Sequence, residues 1–202
     1  MRLNLLGLPG TGIARLAREL SQSAGLMLLN VDQQAADDAI SGETPLATIS
    51  RELADPAARE GFVLQGFPQS LPQAQTLDRA LAMIGQPLHL AVIVRLETGI
   101  LRQRVRSSRQ CSQCGELSTA HTGGAPGKPA CLDFGAELTE GLQDDGPDEE
   151  DLLAAVERQL SRLAKYYRTQ NRLLNVDITG EHQADLDCIK NALQTRMRHH
   201  QI

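Results

Sequence analysis

The segment Gly7-Leu8-Pro9-Gly10-Thr11-Gly12 constrains this chain more than any other. It follows a short apolar run, Leu3 to Leu6, that reads as a buried strand, and it precedes a helical pattern through Leu16, Ala17, Leu20 and Ala24. A chain that leaves a buried strand through glycines and turns straight into a helix aims backbone N–H groups at the space above the turn. That arrangement cradles an anion at a helix N-terminus. Strand, glycine turn and helix in this order open a nucleotide-binding α/β fold.

The remaining pattern agrees. Leu26 to Leu29 and Gly61 to Leu64 read as further short strands, His89 to Leu96 is a nearly continuous apolar run of the kind buried at the centre of a parallel sheet, and Leu173 to Ile178 is a fifth strand. Helices are expected over Asp32–Ile40, Pro45–Leu53, Pro72–Ile84, Thr98–Arg109, Pro147–Arg172 and Asp185–Met197. Alternating strands and helices predict a parallel, doubly wound sheet with ligands at the carboxyl ends of its strands. Residues 110–147 carry three of the four cysteines and no helical period, and read as a small inserted lobe. Cys188, in the closing helical pattern, is expected to be a small core residue.

Composition narrows the partners. A chain of 202 residues with 41% hydrophobic and 22% charged residues is long enough for one α/β domain. A formal net charge of -5 and only 2% aromatics disfavour nucleic-acid binding, since they offer neither a cationic surface nor base-stacking platforms. No run approaches the roughly 18 apolar residues of a membrane span, and the short apolar N-terminal stretch lacks a cleavage site. A cytoplasmic monomer is expected, with no membrane partner.

Three further segments sharpen the fold. Gln65-Gly66-Phe67-Pro68-Gln69 follows the third strand, Leu71-Pro72-Gln73-Ala74 lies just beyond it, and Cys111-x-x-Cys114-Gly115 with Cys131-x-x-Phe134 sits in the inserted lobe. Together with the glycine turn they resemble the adenylate kinase family, whose patterns there are G-x-P-G-x-G-K-G-T, D-G-F-P-R, x-P-Q-A and a zinc-bearing lid. The resemblance implies a P-loop core with a five-stranded parallel sheet (1–29, 60–109 and 148–202), an acceptor-nucleotide lobe at 30–59 and a lid at 110–147. It places nucleotide contacts at Gly7, Gly10, Thr11, Gly12 and Arg104, and at Gly66 and Gln73 in the acceptor pocket.

The chain departs from that pattern where the family carries charge. The family's loop lysine is Ile13, and the glycine and threonine after it are Ala14 and Arg15. An arginine in the threonine's place offers only donors and repels a magnesium ion. The acidic residue at the end of the third strand is Gln65. Family arginines align with Ala36, Gln69, Ser108, Gln159 and a position near Gly141 to Gln143, while Arg104 and Arg109 are retained. Arg15 reads as an exposed helix arginine, and Arg102, Arg104, Arg106 and Arg109 as a solvated helix face at the approach to the lid.

For the lid, the resemblance implies zinc held by Cys111, Cys114 and Cys131, but the fourth ligand position is Phe134, which cannot bind a metal. Either Asp133, water or another side chain completes the shell, or the cysteines are a reduced relic. Phosphoryl transfer is mostly positioning and charge stabilisation, and one arginine is worth about 10³ to 10⁵ in rate. The sequence therefore predicts a catalytically inactive adenylate-kinase-like protein that binds adenine nucleotides weakly or acts through an unknown protein partner. The alternative is a slow or altered-specificity nucleoside monophosphate kinase, using magnesium nucleotide, in which Arg15 and Arg104 supply part of the missing charge.

Overall fold

Each strand of the main sheet is an apolar stretch closed by a glycine or a turn, and in the computed structural model all five lie parallel. The structure describes residues 1–31, 44–111, 117–119, 138–140 and 147–200. The strands are β1 (Arg2–Gly7), β2 (Met27–Asn30), β3 (Phe62–Gln65), β4 (Leu90–Leu96) and, last in the chain, β8 (Leu173–Ile178). Their order across the sheet is β2-β3-β1-β4-β8, so β1 sits in the middle, pairing Leu3 with Val63 on one side and Leu5 with Val92 on the other.

The helices are α1 (Ile13–Ala24), α2 (Pro45–Glu52), α3 (Ala57–Glu60), α4 (Leu71–Met83), α5 (Thr98–Ser107), α6 (Pro147–Thr169) and α7 (His182–His200). They cover both faces of the sheet, because each central strand alternates its side chains between two apolar clusters. Leu3 and Leu5 join Leu16, Ala17 and Leu20 of α1 and Leu186, Ile189 and Leu193 of α7. On the opposite face Leu6, Phe62, Leu64 and Ile93 meet Leu77 and Leu81 of α4 and Leu163, Ala164 and Tyr167 of α6. The expected doubly wound sheet is thus present, with boundaries shifted by only a few residues.

Local chemistry explains the helix starts. Thr44 caps α2, its hydroxyl accepting from the Ala47 N–H at 3.3 Å with Pro45 as the first helical residue. Glu97 does the same for α5, accepting from the N–H groups of Gly99 at 2.9 Å and Ile100 at 3.0 Å, and these bonds hold its carboxyl below the usual carboxylate range. An ion pair then braces α4 against the start of β8. Arg172 donates to Asp78 at 2.7 Å and to the Leu88 carbonyl at 3.2 Å, while the Tyr166 hydroxyl donates to the same carboxylate at 2.8 Å. At the same amino-terminal end of the sheet the His89 Nδ1 accepts from the Arg2 N–H at 2.9 Å.

Three features differ from the sequence expectation. Within the inserted segment β5 (Ser108–Cys111) pairs antiparallel with β6 (Leu117–Thr119) and β7 (Leu138–Glu140), which ends α5 two residues earlier than expected. Helix α3 is a single turn, with its Ala57 N–H bonded to the Asp55 carboxylate at 2.8 Å. Cys188 is exposed, not a core residue: the buried stripe of α7 runs through Leu186, Ile189 and Leu193, and Cys188 falls outside it, its Sγ 3.8 Å from the Asp177 carbonyl oxygen. The expected helix at 32–40 lies outside the described residues.

Candidate functional site

The glycine turn leaves β1 at the centre of the sheet, so its position is fixed by two neighbouring strands. The turn is also closed on itself: Thr11, only 2% exposed, donates to the Leu8 carbonyl through both its N–H, at 3.1 Å, and its hydroxyl, at 2.7 Å. Gly12 caps α1 in the left-handed region with no side chain helping, which leaves this helix start to backbone N–H groups. Gly10 has φ of +87°, and a Cβ there would lie 3.0 Å from Val105, so both backbone and space restrict the position to glycine.

Beneath the turn is a cavity of about 680 Å³ at the carboxyl ends of β1, β2 and β3. Gly7, Gly10 and Gly12 line it together with Ile13, Ala14 and Arg18 of α1. Asn30 and Gln65 line it from the ends of neighbouring strands, Gly66, Pro68 and Gln69 from the following loop, and Val156, Gln159, Leu160 and Leu163 from α6. Among these described residues Arg18 carries the one formal charge. An adjoining cavity of about 640 Å³ shares Leu8 and Leu160 with the first; its Arg95 and Arg102 are outnumbered by Glu97, Glu157 and Asp177. Neither space offers the clustered positive charge that a polyphosphate requires.

None of the arginines singled out in the sequence is among the described residues lining the cavity under the turn, although Arg102 lines the adjoining one. Arg15 pairs with Glu19 one helical turn on, at 3.1 Å, and is an exposed helix arginine as expected. Glu19 lies in addition 2.8 Å from His182; burial opposes its ionisation, but the hydrogen bonds and charges of His182 and Arg15 prevail and hold its carboxyl low. Arg102 and Arg106 are exposed on α5, whereas Arg104 turns inward. Its guanidinium donates to the Gly180 carbonyl and, at the 3.5 Å limit, to the Gly10 carbonyl. A Cβ on Gly180 would sit 2.7 Å from the Arg104 Nη2, so this glycine is what admits the arginine. Asp185, 3% exposed, fixes the same turn by accepting from Thr179 N–H at 2.8 Å and Gly180 N–H at 3.0 Å.

On the acceptor side Gly66 lines the cavity with φ of +85°. Gln73 does not line it: its Oε1 accepts from the Gln69 N–H at 2.7 Å, and the Gln69 Nε2 donates to the Gly66 carbonyl at 3.3 Å. Arg18 and Asn30 were missed as lining residues. The signal for Arg18 was its i, i+4 spacing from Ala14, which puts both on the face of α1 that meets the cavity. Cys111 ends β5, while Cys114, Cys131, Asp133, Phe134, Ala36 and Gly141 to Gln143 lie outside the described residues.

A parallel sheet ordered β2-β3-β1-β4-β8, a glycine turn between its central strand and α1, and a cleft at the carboxyl ends of the strands define an α/β protein of the P-loop class. Among curated proteins the chain is 30% identical over 200 residues to the adenylate kinase of Salinispora tropica, covering 89% of this chain and 92% of that one. It therefore belongs to the adenylate kinase family. The adenylate kinase of Carboxydothermus hydrogenoformans is 29% identical over 216 residues (96% of this chain, all of that one), and that of Nitrosococcus oceani 27% over 197 residues (88% and 91%). No family model matches the chain.

Proposed function

We propose that this member of the family does not transfer phosphate and works instead as a binding protein, with weak affinity for nucleotides. The observation that carries this is the cleft under the glycine turn, where Arg18 is the one charged residue among the described lining. Phosphoryl transfer depends on cations that position the moving group and take up its charge. A largely apolar cleft with Arg18 as its one described cation supplies too little of either. The alternative of a slow kinase needs Arg15 and Arg104 to serve as substitutes; Arg15 is engaged by Glu19, and Arg104 by two backbone carbonyls.

A coupled assay with ATP, magnesium and AMP decides the matter. Turnover below about one per second is expected, and anything in the roughly 1 to 100 per second range of kinases would refute the proposal. For the inserted segment we propose zinc on Cys111, Cys114 and Cys131 with a fourth ligand other than Phe134. Less than about 0.1 zinc per chain in protein purified without chelator would end it. A cytoplasmic location remains part of the proposal; among the described residues no helix is long and apolar enough to cross a membrane.

A further inference from the structure

We infer that the cleft under the glycine turn is built for an uncharged nucleoside, or a neutral heterocycle of similar size, recognised through side-chain carboxamides. This deepens the non-catalytic proposal and rests on it.

Four carboxamide-bearing residues from four places in the fold line one cavity: Asn30 at the end of β2, Gln65 at the end of β3, Gln69 in the loop that follows, whose Nε2 also donates to the Gly66 carbonyl, and Gln159 on α6. Asn30 and Gln65 are register partners on adjacent parallel strands, so two of the amides stand side by side. Gln65 is only 4% exposed, and its Oε1 is a buried acceptor for a ligand's donor. A carboxamide presents a donor and an acceptor in one plane, as the edge of a heterocyclic base does, and pairs with it without desolvating a charge.

The pattern of replacement points the same way. At Gln65, Gln69 and Gln159 the family pattern has an acid, an arginine and an arginine. The same residue type, which sheds charge and keeps hydrogen bonding, stands at all three of these positions, and all three line the one cavity. The fourth replacement, Ile13 for lysine, adds apolar surface to the same cavity. A ligand carrying a phosphate would bring about two negative charges against the one arginine among the described lining residues, and burying charge without compensation is costly. The volume, about 680 Å³, lies within the roughly 300 to 1,000 Å³ of small-molecule sites.

The test is calorimetric titration of the full chain, without magnesium, with adenosine, guanosine, cytidine and uridine and with their 5′-monophosphates, at low and high salt. At least one nucleoside should bind, with its monophosphate no more than about threefold tighter and with an affinity insensitive to salt. Gln159→Leu should weaken that nucleoside about tenfold, and Gln159→Arg should instead tighten the monophosphate about tenfold; melting temperatures verify that both variants fold. Gln65→Leu gives a second probe at the buried end of the site. A monophosphate tenfold or more tighter than its nucleoside would overturn the inference. So would no nucleoside binding below about 1 mM, or an affinity untouched by both leucine variants. None of these results bears on turnover, which alone decides the non-catalytic proposal.

Discussion

Ile13→Lys puts the missing loop cation back and measures how far one charge carries the cleft toward a phosphate site. Ile13 is the first residue of α1, lines the cavity and lies over Gly7, its Cδ1 2.9 Å from where a Cβ of that glycine would be. A lysine there keeps much of the apolar stem along the same path and carries its ammonium to the mouth of the turn. The packing lost against the α1 cluster costs about 1 kcal/mol of stability. A charge-assisted contact to a phosphate contributes about 1.5 to 3 kcal/mol, so affinity for magnesium ATP should rise about 10- to 150-fold in a calorimetric titration. Turnover in the coupled assay should stay below about one per second, because Gln69 and Gln159 still supply no charge to the moving group. If this one substitution produced turnover above that level, the claim that the cleft lacks several necessary charges would be wrong. An unchanged ATP affinity would mean that the turn does not face a ligand's phosphates at all.

Three other outcomes follow from the geometry. Arg104→Ala should cost about 2 kcal/mol in urea denaturation, from the lost charged contact with the Gly180 carbonyl, and leave nucleotide affinity within about twofold; a tenfold loss of affinity would return Arg104 to ligand binding. Asp78→Ala should cost about 2 kcal/mol, less than a fully buried pair because Arg172 and Asp78 remain 22% and 14% exposed, and a loss under about 0.5 kcal/mol would show that the brace is idle. His89 is held below its usual 6.5 by burial, by the Arg2 guanidinium and by the N-terminal ammonium. Because its folded value lies under the unfolded one, its stabilising contribution is full above about pH 6.5 and is lost as pH falls through the depressed value. His89→Asn, which keeps an acceptor for the Arg2 N–H, should flatten the melting temperature between about pH 7 and 5, and an unaltered slope would contradict the assignment.

The main sheet was legible because its strands are apolar runs bracketed by glycine, the pattern that burial on both faces demands. The three strands of the inserted segment were not, because Ser108–Cys111, Leu117–Thr119 and Leu138–Glu140 are short and mostly polar and owe their form to mutual pairing. Cys188 was misplaced for a different reason: cysteine is small and apolar by type, but the helical stripe through Leu186, Ile189 and Leu193 already defined the inner face of α7 and excluded it. Within the site, the neutral identity of Ile13, Gln65, Gln69 and Gln159 was visible in the sequence, but their convergence on one cavity was not, since it depends on how α6 returns across the sheet. Arg104 shows the limit most clearly. Its place beside the loop could be aligned, but its two carbonyl partners come from Gly10 and Gly180, segments that only the fold brings together.

That contact joins α5 to the glycine turn and to the turn after β8, and any side chain at residue 180 would have to displace the Arg104 guanidinium. Freeing Arg104 for a ligand would therefore loosen the joint between α5 and the turn after β8, so any charge this side chain brought to the cleft would come at the expense of the fold.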